Sequence, residues 1–424
     1  MDNPAQGYIL HSMNMTQQND SDIVIVGGGL NGCALAIALA QVGLRVTVVD
    51  ALPVAARTAT GFDGRSYALA LASKRLLTAI GIWPLIGQHA QPILEVVASD
   101  GRAGEGASPW LLHLDHAEIE EGPMGFMMED RYLRAALLKV MAATGGVRHL
   151  DGQTVVGQSV TPKGASVTLS SGETLTARLI VGCDGRKSGT ALRAGIKRNI
   201  TDYRQDALVC AVAHEQPHNG IAHQFFMPSG PLAILPLPGD RSSIVWSEDR
   251  VTARGIAALD DAAFLEALMP RFGDFLGQVS LCGVRYSYPL NLTMAQHIVA
   301  PRLVLVGDAA QGVHPIAGQG LNQGLRDVAT LVEVLALARR RGEDIGGLDV
   351  LDRHRQWRSF DRNMLAFATD GFNRLFSNNN PLLRFGRDLG MAAATAVPGL
   401  RRGILREAAG LNGDLPRLLQ GLQV

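Results

Sequence analysis

The sequence predicts an α/β protein in which a parallel sheet buried on both faces is joined to a second, mostly antiparallel β domain and to C-terminal helices. The first sign is the order strand, glycine turn, helix, strand over residues 22–50, because continuous apolar strands joined through a helix form a parallel sheet. The second is a series of short β-type segments over residues 205–290, separated by Pro and Gly. The third is an apolar strand at residues 303–306 followed by a long helix from about Asn322, which indicates that the first domain resumes late in the chain.

Weaker patterns complete the outline of the domains. Apolar spacing predicts helices over residues 73–87 and 130–145, and residues 166–181 read as a strand pair. Turns are expected around Pro398 and Pro416. The predicted parts are a flexible leader (1–21), a discontinuous first domain (22–72, 126–200 and 298–350), a second domain (73–125 and 201–297) and a C-terminal helical region (351–424).

Composition and charge exclude several classes of protein. With 47% hydrophobic and 18% charged residues among 424, the chain is expected to fold rather than to stay disordered. Its 39 basic and 39 acidic residues balance, so we expect no nucleic-acid partner. The four cysteines are too far apart for a zinc or redox motif, and no metal site is predicted. No apolar stretch reaches the ~20 residues that a membrane-spanning helix needs, so a cytoplasmic location is expected.

The pattern G-x-G-x-x-G at residues 27–32 is the clearest functional motif. It follows a strand and opens a helix, which is the context in which this pattern binds a dinucleotide. The first glycine permits a tight turn, the second lets backbone N–H groups approach a pyrophosphate, and the third lets helix and strand pack closely. Asp50 ends the next strand, where a carboxylate can accept hydrogen bonds from a ribose. These features predict a Rossmann-like domain with the cofactor-binding residues Gly27, Gly29, Leu30, Asn31, Gly32 and Asp50.

Two further segments favour FAD over NAD as the dinucleotide. Residues 181–188 end an apolar strand in Asp184-Gly185, before a basic, hydroxyl-bearing turn that can face a phosphate-rich cofactor. Residues 307–322 place Asp308 at a strand end, where it can accept from a ribityl hydroxyl, and lead through a glycine loop into a helix N-terminus. His314 in this loop is either a positioned backbone element, which is the usual role of a His before Pro, or a proton carrier. The cofactor-binding residues predicted here are Asp184, Asp308, Pro315, Gly318, Gly320, Leu321 and Asn322.

In order and spacing, these three segments resemble those of the group A flavoprotein monooxygenases related to para-hydroxybenzoate hydroxylase. The resemblance covers about residues 22–370. Within that superfamily, the segments 64–69, 128–133, 228–237 and 314–327 resemble the ubiquinone biosynthesis hydroxylases. The resemblance therefore implies a Rossmann-like FAD-binding domain, a β substrate domain and an aromatic hydroxylase activity.

The resemblance also implies further cofactor contacts. Arg65 is expected to approach the flavin and its phosphates, and Arg131 to lie against the ribose or pyrophosphate; both are suited to charge-assisted bonds with phosphate. Ordinary surface arginines are the alternative at both positions. Val156, on the strand after the second helix, is a candidate for backbone contact with the adenine ring, although a β-branched strand residue is more simply explained as core.

The implied chemistry is carried by the flavin, so no side chain is named as catalytic. In this family NADH or NADPH reduces bound FAD, O₂ reacts with the reduced flavin to give a C4a-hydroperoxyflavin, and a phenol ring is hydroxylated. The ubiquinone branch implies a polyprenylated phenol as substrate. A multi-enzyme ubiquinone biosynthesis assembly and peripheral contact with the inner membrane follow as hypotheses, because such a substrate partitions into membranes.

Several alternatives stay open at this stage. The first alternative is a hydroxylase of a small soluble phenol, and the second is a flavin reductase or oxidase that never hydroxylates. The third is a non-catalytic FAD-binding scaffold of a biosynthetic complex. Apolar positions between Phe372 and Phe385 are candidates for membrane contact, although core packing explains them more simply. Candidates for the substrate pocket, which are equally good core residues, are Phe225, Phe226, Met227, Leu235 and Pro236.

Overall fold

The computed structural model describes residues 20–58, 61–104, 106–312, 319–359 and 395–424, without the side chains of residues 106–110. A sheet that is parallel except at its β18–β19 edge pair, called the parallel sheet below, has the strand order β18-β19-β12-β1-β2-β8. Its central strands are apolar and buried throughout, as expected of a sheet covered on both faces. Its strands are β1 (Ile23–Val26), β2 (Val46–Asp50), β8 (Val147–Asp151), β12 (Leu179–Gly182), β18 (Val299–Ala300) and β19 (Leu303–Leu305).

Two smaller sheets pack against this core. The meander has the order β11-β10-β9, and the small sheet has the order β3-β7-β4. One face of the meander contributes Val167, Leu169 and Leu175 to the main core, which explains their burial in short, otherwise polar strands. The strands are β3 (Ser66–Ala70), β4 (Gln91–Ile93), β7 (Gly125–Glu129), β9 (Val155–Thr161), β10 (Gly164–Leu169) and β11 (Thr174–Ala177).

The antiparallel sheet has the order β20-β17-β13-β16-β15-β14-β5-β6, with a parallel pairing of β14 and β5. Because side chains alternate along each strand, this sheet has two distinct faces. One face packs on the helices α6 (Arg250–Ala257) and α7 (Asp261–Phe272) in a separate core, and the other faces the main core. Its strands are β5 (Glu95–Arg102), β6 (Gly106–Asp115), β13 (Arg198–His214), β14 (Ile221–Met227), β15 (Gly230–Leu237), β16 (Arg241–Asp249), β17 (Val279–Ala295) and β20 (Gln311–Gly312).

The helices cover the sheets, and the last α-helix is fastened to the rest of the protein by an ion pair and by core packing. Arg401 of the last helix binds the Glu118 carboxylate with Nε at 2.7 Å and 2.9 Å from its two oxygens, while Leu405 is fully buried in the main core. None of the helices in the described part of the chain is long and apolar enough to span a membrane. Their bounds are α1 (Leu30–Gln41), α2 (Leu71–Ala79), α3 (Trp83–Ile86), α4 (Asp130–Ala143), α5 (Gly189–Arg193), α6 (Arg250–Ala257), α7 (Asp261–Phe272), α8 (Gln319–Arg340) and α9 (Pro398–Ala408).

The predicted α/β class is confirmed, but several element bounds were wrong. The helix predicted over 73–87 breaks at Gly81, whose φ of +83° ends α2 before the short α3. The strand predicted to run to Val181 divides at Arg178 into β11 and β12, which belong to different sheets. Pro398 begins α9 instead of forming a turn, since proline is well tolerated in the first turn of a helix.

Candidate cofactor and active site

The predicted motif segments lie side by side at one edge of the parallel sheet. The neighbouring strands β19, β12, β1 and β2 run parallel, so their carboxyl ends meet at the same edge. That edge carries Asp308 after β19, Asp184 after β12, the glycine turn after β1, and Asp50 at the end of β2. Open α/β sheets bind their ligands outside the carboxyl ends of the strands. The fold thus brings into one place residues that came from three separate motifs.

The three glycines of the fingerprint have different surroundings. A Cβ atom on Gly27 would lie 2.4 Å from the carbonyl oxygen of Cys183, and its φ of +104° also favours glycine. A Cβ atom on Gly32 would lie 2.0 Å from the carbonyl oxygen of Gly27. Around Gly29, in contrast, the described residues outside its own chain neighbours leave 4 Å of open space. No side chain among the described residues caps the N-terminus of α1, which therefore opens toward a space that an anion can occupy.

Asn31 in the first turn of α1 fills the gap between two other segments. A Cβ atom on Gly307 would lie 2.4 Å from Asn31 Nδ2, and one on Gly324 would lie 2.1 Å from it. Asn31 therefore contacts the turn after β19 and helix α8 at once. Its Oδ1 atom is buried and accepts no hydrogen bond in the described part of the chain. A buried acceptor without a donor costs free energy, and a polar cofactor beside α1 would supply one.

Asp50 is joined by an arginine that sequence analysis did not single out. Arg57 Nη1 donates to Asp50 Oδ2 at 2.8 Å and also to the carbonyl oxygen of Gly28. The other carboxylate oxygen accepts from the Leu52 N–H at 2.8 Å, so each oxygen still has a lone pair for a ribose hydroxyl. Arg57 Nε is buried and has no acceptor among the described residues. Nothing in the pattern of residues 51–60 separates Arg57 from a surface arginine, because its partners come from two other segments.

The Asp184 side chain is used within its own loop. Its carboxylate accepts from Ser188 Oγ at 2.5 Å and from the N–H and Oγ1 of Thr190, both at 2.8 Å. These bonds fix the turn that leads into α5, while Ser188 caps that helix. The main chain of residues 183–184 lies directly against Gly27. Contact between Asp184 and a cofactor is therefore expected through the backbone.

Asp308 and Asn322 also make contacts within the protein. Arg186 Nε donates to Asp308 Oδ2 at 3.1 Å in a half-exposed ion pair. Asn322 accepts from the Ala70 N–H and Ser73 Oγ at 2.9 Å and 2.8 Å. It thereby fastens the start of α8 to β3 and α2. A carboxylate can accept from a ribityl hydroxyl beside an arginine, so the predicted role of Asp308 stays chemically reasonable.

The start of α8 supplies two more predicted residues. The described residues leave 4 Å of open space around Gly320, and Leu321 packs partly buried against the main core. Leu30, which opens α1, packs on the same core. The predicted residues His314, Pro315 and Gly318, like the apolar positions between Phe372 and Phe385, lie outside the described residues.

Arg65 and Arg131 lie on adjacent segments beside buried carboxylates. Arg65 binds Asp63 at 2.7 Å and approaches Asp130 at 3.5 Å, and these bonds raise the pKa of its guanidinium. Arg131 Nε donates to Glu129 Oε2 at 2.7 Å. Both side chains keep part of their surface exposed, 42% for Arg65 and 25% for Arg131. Ion pairs anchor each arginine, which is compatible both with the predicted cofactor contact and with a surface arginine held by its neighbours.

Val156 is not a core residue, as the simpler explanation of it had supposed. Its exposure is 61%, whereas its neighbour Val155 is 9% exposed and faces the main core. Thr168 and Leu169 of the partner strand β10 pair with Gly157 and Val155, so Val156 is the extra residue at a shift of register in β9. An exposed valine at a strand edge is compatible with the predicted adenine contact.

The face of the antiparallel sheet that turns toward the main core carries a short apolar row, the apolar floor, flanked by polar residues such as Ser243, Ser247 and Gln224. Ala211, Ala222 and Leu237 belong to the main core, which identifies this face. In the adjacent row, Val209, Val245 and Ala233 lie side by side across β13, β16 and β15. These side chains are small and apolar, so the floor can accept a flat aromatic ring and exclude water from it.

Alternation along the strands separates the pocket candidates. Phe225 and Met227 lie in the core under α6 and α7, as does Ile234. Pro236 is two residues from Ile234 on the same strand and shares its face. Phe226 packs with Ala98 and Leu112 instead, and Leu235 packs against the main core. Only Phe226 and Leu235 of the five candidates are thus placed to line a site on the apolar floor.

The thiols near the glycine turn are unsuited to catalysis. Burial raises the pKa of Cys33 to about 12 and that of Cys183 well above its ordinary value, so neither is a thiolate near neutral pH. In the described ranges, no group of His, Cys, Asp and Glu side chains is arranged to hold a metal ion. The polar groups at the strand edge instead fit FAD. They are the N–H groups of a helix N-terminus for a pyrophosphate, the Asp50 carboxylate for a ribose, and polar atoms on Asn31 and Arg57 that have no partner among the described residues.

Comparison with known families supports this fit. A family model described as an FAD binding domain matches residues 20–359. The chain is 44% identical over 95% of its length to a Rhodospirillum rubrum protein named ubiquinone hydroxylase UbiL, covering 93% of that protein. It is 33% identical to the 3-demethoxyubiquinol 3-hydroxylase of Escherichia coli, covering 94% of this chain and all of that protein.

Solved structures agree on the fold. The crystal structure of p-nitrophenol 4-monooxygenase PnpA from Pseudomonas putida DLL-E4 superposes with a TM-score of 0.77, covering 93% of this chain and 98% of that chain at 19% identity. The structure of PqsL from P. aeruginosa with 2-aminobenzoylacetate gives a TM-score of 0.67 at 21% identity, covering 91% of this chain and 99% of that chain. At these identities the likeness establishes the arrangement of the chain and nothing finer.

Proposed function

This chain belongs to the FAD-dependent aromatic monooxygenases, in the group that includes the ubiquinone hydroxylases, and we propose that it hydroxylates the ring of a polyprenylated phenol in ubiquinone biosynthesis. The observation that carries the proposal is the 44% identity to a ubiquinone hydroxylase over nearly the whole chain. The apolar floor supports it, because a row of Val209, Val245 and Ala233 suits a ring that bears an alkyl chain.

The chain's own residues would bind the cofactor and position the ring. The N–H groups at the start of α1 would hold the FAD pyrophosphate, and Asp50 would accept from the ribose of the adenosine half. Arg65 and Arg131 would add charge-assisted bonds to phosphate or ribose oxygens. The apolar floor would hold the phenol ring against the cofactor domain and keep water away from it.

Bound FAD would supply the redox chemistry, taking two electrons from NADH or NADPH and activating O₂ for transfer to the ring. In the balanced reaction a ring C–H bond becomes C–OH. One atom of O₂ enters the product, the other leaves as water, and NAD(P)H with one proton becomes NAD(P)⁺. No second G-x-G-x-x-G follows a strand in the sequence, so the nicotinamide is proposed to bind transiently.

A polyprenylated substrate has consequences for partners. Its tail partitions into membranes, so we propose that the protein receives it through peripheral contact with the inner membrane or within a ubiquinone biosynthesis assembly. Liposome co-sedimentation, with and without the substrate dissolved in the bilayer, tests the first route. Absence of binding under both conditions would leave only the assembly.

The test of the proposed function is oxidation of NADH and NADPH by the FAD-loaded protein, with and without a short-chain polyprenylphenol. Peroxide is quantified in parallel, and the product is weighed by mass spectrometry. We expect phenol-dependent turnover and a product heavier by one oxygen atom. Turnover that releases all reducing equivalents as peroxide would indicate an oxidase, and activity only with unprenylated phenols would indicate a small-phenol hydroxylase.

A pair of variants connects this activity to the apolar floor. Val245→Phe fills part of the floor and should raise KM for the prenylated phenol and the fraction of peroxide. Val251→Phe makes the same change at a position of α6 that is 81% exposed, and serves as the control. Equal KM values and equal peroxide fractions for the two variants would show that the apolar floor is not part of the substrate site.

A further inference from the structure

A buried carboxylate connects the small sheet and α4 to the antiparallel sheet. Glu129 ends β7 in the small sheet and is 1% exposed. Its Oε2 accepts from Arg131 Nε at 2.7 Å, and its Oε1 accepts from Arg241 Nη2 at 2.9 Å. Arg131 lies in the first turn of α4, whereas Arg241 begins β16. The Glu129 carboxylate is therefore shared between Arg131 of α4 and Arg241 of the antiparallel sheet.

An aromatic ring reinforces this arrangement. The Cζ atoms of Arg131 and Arg241 lie 5.7 Å and 5.1 Å from the centroid of the Phe62 ring. Arg131 also lies 4.6 Å from the Tyr132 ring, and such cation–π contacts are attractive. Arg241 Nε donates to the carbonyl oxygen of Pro238 at 3.0 Å, so Arg241 is anchored on its own hairpin as well.

Sharing the carboxylate limits the hydrogen bonds that Glu129 can offer to Arg131. With one oxygen held by Arg241, Glu129 binds Arg131 through Nε, and the other donors of a guanidinium lie on Nη1 and Nη2. If Arg241 were absent, both oxygens of Glu129 would be available to Arg131. An arginine and a carboxylate then prefer a two-bond fork, which would turn the guanidinium toward Glu129.

We infer that Arg241 is a positioning residue for FAD: by holding one oxygen of Glu129, it keeps Arg131 oriented toward the cofactor. The inference rests on the proposed contact between Arg131 and FAD. It gives a residue of the antiparallel sheet an effect on cofactor affinity without any contact with the cofactor.

The test is a double-mutant cycle of Arg131→Gln and Arg241→Gln, read as the Kd for FAD from quenching of flavin fluorescence by the apoprotein. Arg131→Gln should raise Kd about tenfold or more, as expected for a lost charge-assisted bond. Arg241→Gln should raise it about threefold to tenfold, and Arg241→Lys should restore part of the affinity. The double variant should bind no more weakly than Arg131→Gln alone, because Arg241 acts through Arg131.

Controls separate this role from a general loss of structure. Urea denaturation of each apoprotein reports its stability, and Arg254→Gln removes a 72%-exposed arginine from the same part of the molecule. An unchanged Kd in Arg241→Gln, or additive effects in the double variant, would overturn the inference while leaving Arg131 in the site. An unchanged Kd in Arg131→Gln would overturn both. Failure of the proposed hydroxylation has a different signature, namely tight FAD binding without an oxygenated product.

Discussion

Replacement of Gly32 by alanine should lower the stability of the apoprotein, whereas replacement of Gly29 by alanine should weaken the binding of FAD. A Cβ atom at position 32 would lie 2.0 Å from the Gly27 carbonyl oxygen, and Gly27 is itself held against Cys183. The clash is between the Cβ atom itself and a backbone oxygen, so rotation about χ angles cannot relieve it. Overpacking of this kind costs about 1–3 kcal/mol and sometimes more, and the helix propensity of alanine returns about 1 kcal/mol. Because a 2.0 Å contact lies at the severe end of that range, we expect Gly32→Ala to lower the free energy of unfolding of the apoprotein by about 2 kcal/mol.

Gly29→Ala should lower that stability by no more than about 1 kcal/mol, the cost of losing glycine at the N-cap, because the added methyl group enters space that the described residues leave open. The same methyl group would occupy the space in which the pyrophosphate is proposed to bind, so Kd for FAD should rise about tenfold or more. Urea denaturation of the apoproteins and fluorescence titration with FAD measure the two effects. Wild-type FAD affinity in Gly29→Ala would refute the placement of the pyrophosphate, and wild-type stability in Gly32→Ala would refute the packing argument.

Three further predictions concern buried charges. The Asp327 carboxylate lies 2.6 Å from Arg358 Nε, and both side chains are at most 1% exposed. Arg358→Met would leave Asp327 as an uncompensated buried charge, so the free energy of unfolding should fall by about 3–5 kcal/mol. Urea denaturation measures this loss, and an unchanged midpoint would contradict the prediction. Burial lowers the pKa of His223 from 6.5 to about 4, so the unfolded chain takes up the proton first and stability falls as pH drops from 6.5 toward 4. His223 lies beside Phe275, and His223→Phe should remove up to about 3 kcal/mol of that pH dependence. Denaturation at several pH values measures the free energy of unfolding of both proteins. Parallel profiles of that free energy against pH for the wild type and the variant would count against the prediction. Arg57→Gln removes a donor to the carboxylate at the end of β2 and should raise Kd for FAD several-fold, and equal affinity would exclude Arg57 from the site.

The sequence was sufficient for the fold class and for the segments that form the site, for a physical reason. Apolar strands, a glycine turn and the following helix are local in sequence, and parallel strands bring their carboxyl ends together wherever they lie in the chain. This is why residues as distant as Asp50 and Asp308 could be assigned to one edge of a sheet. Element ends were less predictable, as at Gly81, because a single positive φ decides whether a helix continues.

Contacts between distant segments could not be predicted. Arg57 is a site candidate only because Asp50 and Gly28 lie beside it, and its own segment carries no signal. Arg241 is 112 residues away from Glu129 in sequence, and the pattern of β16 shows only a strand that begins with a charged residue. Such pairs depend on the docking of one sheet against another, which has no local signature.

Motif residues also perform a role that sequence reasoning does not distinguish from ligand binding. Asp184 makes three hydrogen bonds within its own loop, and Asn322 fastens α8 to β3 and α2. Their side chains shape the turns that present backbone groups to the site, so the same residue types are needed whether or not a side chain reaches the cofactor. For such residues, replacement should weaken FAD binding and apoprotein stability together, whereas a direct contact such as the one proposed for Arg131 should affect binding alone. The ratio of the two effects therefore identifies which motif residues meet FAD and which ones build its site.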